Sequence, residues 1–214
     1  MSFSNLRLLL GLTFCALTLA LGACGHSHSD DDDDDSADDD DDDDSVPVEF
    51  AMWSPDFIDD ENITHNYDCE QALPVEFSCD GSNPEIVWEG APEGTVAFTL
   101  IFDDPTAGNF PHWAIYNIPA SETGLAAGIS GNNLTNTPPG DAIELDNGFG
   151  WNGYLGSCPG GVNHYRWRLW ALSSLIDSSS ASNYSTLAGA ADSVALDMVE
   201  MCHVFDGSQI PVGR

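Results

Sequence analysis

An acid and a histidine stand at neighbouring ends of two apolar, strand-like runs in the middle of the chain. Asp104 comes just after the run that ends at Phe102, and His112 opens the run from Trp113 to Asn117. The proline after Asp104 cannot donate to a strand ladder, so the carboxylate is expected at a strand end. An imidazole near a carboxylate can donate a hydrogen bond to a phosphate oxygen. The pair is therefore a candidate contact for a phosphate group, and the alternative is that Asp104 only ends a strand in solvent.

A second polar cluster lies about forty residues further on, in a loop rich in glycine and proline. Its core is Gly156-Ser157-Cys158-Pro159, and Tyr154 precedes it. Glycine and proline allow successive backbone N–H groups to point together, which is a common way to hold an anion. We expect this loop to cradle an anion, with Tyr154 closing one side.

These Asp-Pro, His-Trp and Gly-x-Cys-Pro elements together resemble the phosphatidylethanolamine-binding protein family, in its bacterial branch of Raf-kinase-inhibitor-like proteins. The resemblance implies a pocket formed by Asp104, His112 and the Gly156–Pro159 loop. This chain departs from the family's Asp-Pro-Asp-Ala-Pro loop, since Thr106 replaces the second aspartate and Gly108 the second proline.

A further departure concerns the His-x-Tyr element that family members usually place after the loop. Aligning on Tyr165 puts Asn163 where the histidine is expected, with His164 between them. Either Asn163 makes the hydrogen bonds, or a local shift lets His164 serve, and we favour His164. Arg166 and Arg168 alternate on the following strand and are expected to pair with carboxylates, because the chain is strongly acidic.

The elements that must position these residues are mostly strands. Apolar, β-branched and aromatic runs separated by Gly, Pro, Asn and Asp predict an all-β core. The predicted strands are Val46–Met52, Val75–Ser78, Ile86–Trp88, Val96–Phe102, Trp113–Asn117 and Tyr165–Leu172. The family resemblance implies a large antiparallel Greek-key sheet packed on a smaller sheet, with a helix late in the chain.

The late helix also has a signal of its own in the sequence. After a possible cap at Ser185, apolar residues recur at steps of three and four. They are Leu187, Ala191, Val194, Met198 and Met201. The spacing predicts a helix over about 185–202, with this stripe packed against a sheet.

The N-terminus resembles an export signal. Arg7 precedes the apolar run Leu8–Leu21, which is too short for a convincing transmembrane helix, and small residues lead to Cys24. The Leu-Gly-Ala-Cys sequence resembles the lipobox of bacterial lipoproteins, which implies acylation of Cys24 and a lipid-anchored location in the bacterial cell envelope, at the outer membrane or the cell surface. Ordinary cleavage near Ala23 is the alternative. We therefore predict a signal peptide at 1–23, a spacer at 24–45 and a folded domain at 46–214.

The spacer and the overall charge limit the possible partners. Asp30–Asp44 holds 13 of the 36 acidic residues and cannot form a core, so a solvated spacer is expected. Loose divalent-cation binding, helped by His26 and His28, is the alternative. The residues after the spacer carry a net charge of about −20, because they contain the other 23 acidic residues, three arginines and no lysine. The negative electrostatic field of these residues disfavours nucleic-acid binding.

Four cysteines remain after Cys15 and Cys24 are assigned to the signal and the lipid. An even number in an exported chain indicates two disulfides, and three pairings are possible. Related exported members carry cysteines at the positions of Cys79 and Cys158, so the resemblance implies Cys79–Cys158, which pairs Cys69 with Cys202. Zinc binding is the rival, but no Cys-x-x-Cys spacing supports it.

The function that these features favour is a lipid-anchored, exported, non-catalytic protein that binds a small anionic or phospholipid head-group-like ligand without a cofactor. The resemblance also implies an alternative, an inhibitor or interaction module for a kinase- or protease-type protein partner. A hydrolase using His112 with Asp104 or Ser157 ranks lowest, because neither Gly-x-Ser-x-Gly nor His-Glu-x-x-His occurs. The Gly-x-Gly-x-x-Gly match at 148–153 lacks the strand and helix of a dinucleotide site.

Overall fold

The structure is a computed structural model, and it describes residues 48–59 and 69–211. The predicted signal peptide, the lipidation site Cys24 and the aspartate spacer lie outside the described residues. The described residues belong to one unit, Ser45–Arg214.

Ten strands in two sheets and one α-helix make up the described fold, which is mostly β as predicted. The strands are β1 (Ala51–Trp53), β2 (Ile58–Asp59), β3 (Gln71–Ala72), β4 (Ile86–Glu89), β5 (Ala97–Asp104), β6 (Phe110–Pro119), β7 (Gly124–Leu125), β8 (Ile143–Glu144), β9 (Val162–Leu172) and β10 (Ala195–Asp206). The helix α1 spans Tyr184–Val194.

The two sheets differ in size and pack face to face. The small sheet has the order β1-β4-β7, and the large sheet has the order β2-β3-β10-β9-β5-β6-β8. All strand pairs are antiparallel except β3 with β10, which is parallel. One core cluster combines Ile86 and Trp88 of the small sheet with Phe98, Leu100 and Phe102 of the large sheet.

A second apolar cluster lies on the other face of the large sheet, beneath α1. It combines Ile101 of β5 and Trp170 of β9 with Leu187 and Ala191 of α1. Successive residues of a strand point to opposite faces, so β5 and β9 each contribute side chains to both clusters. The large sheet is therefore the central layer between the small sheet and the helix.

The late helix is present and begins at Tyr184, one residue before the predicted start, but its predicted cap and end are wrong. Its N-cap is Asn183, not Ser185: the Asn183 side chain accepts from the Thr186 N–H, and the Thr186 hydroxyl accepts from the Asn183 N–H. The helix ends at Val194, and the chain continues as β10 along β9. Pairing with a central strand satisfies the backbone of residues 195–206, which outweighs the helical spacing of Met198 and Met201.

Two predicted strands also need correction. The segment Val75–Phe77 is a 3-10 turn, in which the Phe77 N–H donates to the Pro74 carbonyl and the Ser78 N–H donates to the Val75 carbonyl. The first strand begins only at Ala51, and residues 46 and 47 lie outside the described residues. Both segments are apolar, but strand formation requires a neighbouring edge as well as composition.

Both disulfides have the expected pairing. Cys79 is bonded to Cys158, and Cys69 is bonded to Cys202. The first bond ties the segment after the Val75–Phe77 turn to the Gly156–Pro159 loop. The second joins the segment before β3 to β10.

Candidate functional site

A cavity of about 230 Å³ opens at one end of the large sheet. The end of β5, the start of β6, the start of β9 and the loop before β9 form its walls. Its lining residues are Asp104, Ala107, Phe110, His112, Phe149, Leu155, Gly156, Cys158, Pro159, Asn163 and Tyr165. The structure thus brings Asp104, His112, Gly156, Pro159 and Asn163 together.

Asp104 is the last residue of β5 and is only 3% exposed. One of its oxygens accepts from the Ala107 N–H at 3.0 Å, which caps the 3-10 turn that begins at Pro105. The other accepts from the Asn163 side-chain amide at 2.7 Å. Both donors are neutral, and each carboxylate oxygen has a further lone pair. The carboxylate can therefore still accept a hydrogen bond from a ligand in the cavity.

His112 enters the cavity because of an irregularity in β6. Phe102 pairs with Trp113 and Asp103 pairs with Pro111, so the β5–β6 register shifts across His112. Such a bulge re-aims a side chain that would otherwise point to the other face. The His112 ring therefore lies on the same side as Trp113, with ring centroids 5.0 Å from Phe102 and 5.3 Å from Tyr165.

The hydrogen bonds of His112 fix its tautomer. Its Nδ1 lies 2.8 Å from the Leu155 carbonyl, which can only accept, so Nδ1 carries the proton. Burial lowers the pKa of His112, and the Leu155 bond and the charges of Asp104 and Asp103 oppose this shift. In the neutral ring Nε2 is an acceptor, and it becomes a donor only when the ring is protonated.

Asn163, and not His164, lies on the cavity face of β9. Asn163 and Tyr165 line the cavity, whereas the intervening His164 belongs to the opposite face of the strand. The β9–β10 register has no shift at these residues, so our preference for His164 is wrong. The His164 N–H instead donates to the Thr106 hydroxyl at 3.0 Å.

The opposite face holds a group that resembles a metal site. His164 lies near the sulfurs of Cys69 and Cys202, with the potential ligand atoms within 4.8 Å of one another. The two sulfurs form a disulfide and have no thiolate to offer a metal.

The Gly156–Pro159 loop contributes less to the cavity than predicted. The Gly156 N–H donates to the Cys79 carbonyl, and the Cys79 N–H donates to the Ser157 carbonyl. A Cβ on Gly156 would lie 2.6 Å from backbone atoms of this partner segment, so the pairing requires glycine. The Gly156 amide is thus used by the fold and cannot also bind an anion.

Ser157 and Tyr154 do not line the cavity, which corrects their predicted roles. Ser157 is fully buried, and its Oγ lies 3.2 Å from Nε2 of the buried His203. The Tyr154 hydroxyl donates to the Phe77 carbonyl at 2.8 Å, and burial raises the pKa of Tyr154. Both side chains serve the core around the cavity and hold the loop in place.

The hydrogen bonds of His203 explain its burial. The Trp167 indole N–H donates to His203 Nδ1 at 2.9 Å, so Nδ1 has no proton, and Nε2–H faces Ser157. Burial lowers the pKa of His203 well below its ordinary value. The ring is therefore a neutral structural group.

These contacts also disfavour the hydrolase interpretation. A triad would need His112 to bond to both a nucleophile and an acid. Ser157 contacts His203, Asp104 is held by Asn163 and Ala107, and His112 uses its Nδ1 for a carbonyl.

Three aromatic residues of the cavity were not predicted from the sequence. Tyr165 is buried, and burial, followed by the charge of Asp104, raises its pKa, so it keeps its hydroxyl proton. Alternation from Asn163 could have found it. Phe110 and Phe149 lie edge to face with centroids 5.3 Å apart, and Phe149 is 64% exposed at the rim. The loop of Phe149 carries only the Gly-x-Gly-x-x-Gly match at 148–153, which does not indicate this cavity.

The cavity offers negative charge and hydrogen-bond acceptors to a ligand, and no side chain with a permanent positive charge is among its described lining residues. Asp104 is the only formally charged side chain among its described lining residues, and no arginine or lysine is among them. His112 is held toward its neutral form, and aromatic edges and faces supply most of the remaining wall. Such a site favours an ammonium group over a net anion, because carboxylates and aromatic faces both attract cations.

Comparisons with known proteins agree with this fold. The family model described as Phosphatidylethanolamine-binding protein matches residues 54–203. The chain therefore belongs to the phosphatidylethanolamine-binding protein family, a family of binding proteins and not of enzymes.

Individual relatives are similar over about half of this chain. The Escherichia coli K12 protein UPF0098 protein YbcL is 38% identical over 104 residues, covering 45% of this chain and 56% of YbcL. A Mycobacterium tuberculosis H37Rv protein named putative lipoprotein LppC is 36% identical over 107 residues, covering 47% of this chain and 49% of LppC. The chain thus matches about half the length of these two relatives.

Solved structures extend the similarity to most of the fold. The crystal structure of E. coli YbcL, described as a new member of the mammalian PEBP family, aligns with a TM-score of 0.60 and 25% identity, covering 74% of this chain and 98% of that one. A Chlamydia trachomatis homologue, CT736, aligns with a TM-score of 0.58 and 20% identity over 73% of this chain and 97% of its own. The latter supports the fold alone.

Proposed function

We propose that this protein binds a small zwitterionic, phospholipid head-group-like molecule in the cavity between Asp104 and His112. The observation that carries the proposal is the pairing of a buried carboxylate with a neutral imidazole in an aromatic cavity whose described lining has no basic side chain. A purely anionic ligand would meet Asp104 without a compensating cation.

The two ends of such a ligand suit different groups. The ammonium end fits Asp104, whose oxygens already receive two neutral donors and have lone pairs left. The phosphate end fits His112 once Nε2 is protonated, because a charged imidazole donates a charge-assisted bond. Phosphate binding is then linked to proton uptake and tightens as the pH falls toward the lowered pKa of His112.

Calorimetric titration with soluble probes tests the proposal. We expect glycerophosphoethanolamine to bind more tightly than inorganic phosphate. At acidic pH, where His112 takes up a proton, His112→Ala should weaken zwitterion binding by one charge-assisted bond. That loss is about 1.5–3 kcal/mol, or roughly ten- to a hundredfold in affinity. Equal affinity for the two probes, or no effect of His112→Ala, contradicts the proposal.

The proposed ligand source is a bacterial envelope membrane to which the protein is anchored through Cys24. The relative named as a putative lipoprotein and the Leu-Gly-Ala-Cys sequence support this part of the proposal. No helix of the described residues is long and apolar enough to cross a membrane. Membrane fractionation of wild type and Cys24→Ala tests it: the wild type should partition with membranes and the variant should not.

One observation favours the interaction module as a second candidate. Phe149 and Trp151 stand 64% and 62% exposed beside the cavity, with ring centroids 5.7 Å apart. Exposed aromatic pairs are frequent anchors of protein interfaces. A protein partner whose binding is lost in Trp151→Ser, while glycerophosphoethanolamine binding is retained, would support this candidate.

A further inference from the structure

We propose a second ligand site, for a small oxyanion of the carboxylate, sulfate or phosphate class, in the cavity between the large sheet and α1. This cavity has a volume of about 650 Å³. Its lining residues are Asp103, Asn109, Arg166, Arg168, Tyr184, Ser185, Ala188, Gly189 and Asp192. The site is independent of the proposed head-group cavity, and neither proposal needs the other.

The same two strands build both cavities with alternate residues. On β5, Asp104 faces the first cavity and Asp103 faces the second. On β9, Tyr165 lines the first cavity, whereas Arg166 and Arg168 line the second. Neighbouring residues of a strand point to opposite faces, so the sheet separates the two cavities.

Both arginines of the described chain converge on this second cavity. Arg166 makes a bidentate contact with Asp103 at 3.0 and 2.8 Å, and Arg168 Nη2 bonds to the same carboxylate at 2.8 Å. Two guanidinium charges thus share one buried carboxylate. In a domain with a large acidic excess, this is where the described residues concentrate positive charge.

Two buried donors at the cavity have no hydrogen-bond partner. They are Arg168 Nε and the Tyr184 hydroxyl. Burial, followed by the charges of Glu144, Asp103 and Asp146, raises the pKa of Tyr184, so the phenol keeps its proton. Buried donors are normally paired, so each of these two groups can donate to a ligand that accepts hydrogen bonds.

The first turn of α1 adds favourable polarity. Tyr184 and Ser185 belong to this turn and line the cavity. The N-terminus of a helix of 11 residues carries a partial positive charge, which favours an anion. The Asn183 side chain already accepts from the Thr186 N–H, so this amide is not available to the ligand.

The acidic groups around the cavity limit the charge of its ligand. Asp103 is engaged by both arginines, and Asp192 accepts from the Trp170 indole at 2.8 Å. Glu200 lies 4.0 Å from Arg166 Nε and is nearly half exposed. Glu144 and Asp146 also act on Tyr184. Because these carboxylates offset the two arginines, binding depends on directed hydrogen bonds from the guanidinium and phenol groups, and an anion of low charge fits better than a polyanion.

The arginine side chains themselves provide the assay. The chain has four arginines and no lysine, and three of them, Arg166, Arg168 and Arg214, lie after the predicted signal peptide. The few Nε–H signals of the ¹⁵N-labelled protein can therefore be resolved individually. We would titrate sodium acetate, sodium sulfate and sodium phosphate at ionic strength held constant with sodium chloride. The expected result is a saturable shift of the Arg168 Nε–H signal with at least one of these anions.

Variants separate binding from general charge effects. Tyr184→Phe removes only the hydroxyl and should weaken the anion several-fold, and Arg168→Gln should weaken it about tenfold or more, the usual effect of losing a charge-assisted bond. His112→Ala, in the first cavity, should leave the Arg168 shift unchanged. Absence of a saturable shift, equal shifts of all arginine Nε–H signals, or an affinity unaffected by Tyr184→Phe would each overturn the proposal.

Discussion

The substitution Asp104→Asn tests which end of a zwitterion is recognised by Asp104 in the cavity that it lines together with His112. The substitution keeps the shape of the side chain and removes its charge. An asparagine oxygen can still accept from the Ala107 N–H, as Asp104 does at 3.0 Å, so the 3-10 turn keeps its cap. The contact with Asn163 can also be kept by rotation of either amide. The variant should therefore fold normally and change the ligand contact alone.

The expected loss follows from the burial of the carboxylate. Asp104 is 3% exposed, so its contact with an ammonium group is little screened by solvent. A charge-assisted bond contributes about 1.5–3 kcal/mol, which predicts roughly ten- to a hundredfold weaker glycerophosphoethanolamine binding in Asp104→Asn. Inorganic phosphate should bind several-fold more tightly, because a like charge has been removed from a buried site.

Calorimetry of both probes on wild type and variant measures the two effects. Glu93→Gln is the matched control, since it removes one exposed negative charge away from the cavity lining. It should leave both affinities unchanged. If Asp104→Asn weakens phosphate and leaves the zwitterion unaffected, the carboxylate does not meet the ammonium end, and our reasoning about the cavity is refuted.

Three further predictions concern the neighbouring elements. Asn163→His should tighten phosphate binding by roughly fivefold near pH 6, because it adds a partly charged donor worth about 1 kcal/mol. His164→Ala should leave phosphate binding unchanged. Phosphate titration of both variants checks which of the two residues faces the cavity. Replacing Cys79 and Cys158 by serine should lower the free energy of unfolding by about 2–5 kcal/mol in urea denaturation, since the bond closes a separation of 79 residues; an unchanged midpoint contradicts this. His203 binds a proton more readily when unfolded, so stability should fall as the pH drops below about 6.5, and His203→Gln should make this fall shallower in denaturation series at several pH values.

Much of the site could be predicted because its signals are local. A proline after Asp104 and the Trp-containing run after His112 identify strand ends from a few adjacent residues. The cysteine pairing followed from the family resemblance. The late helix was also visible, but its end was not, because residues 195–206 gain their backbone partners only from β9.

Other parts of the site depend on contacts that no local pattern encodes. The direction of His112 comes from the register shift opposite Phe102 and Asp103, which only the pairing of β5 with β6 reveals. The inward orientation of Ser157 depends on His203, which lies 46 residues away. Our preference for His164 failed for the same reason, since the face of a strand is fixed by its neighbours.

The sequence by itself determined the general properties of this protein. They are a mostly β fold, an acidic net charge, the family, and a short set of polar residues near strand ends. Those properties are carried by residue type and by spacing within a few positions. The tertiary structure alone decided that alternate residues of β5 and β9 serve two different cavities, one aromatic and rich in acceptors, and one with both described arginines. The physical reason is that a sheet has two faces, and which residues point to which face is set by register with strands far away in the chain.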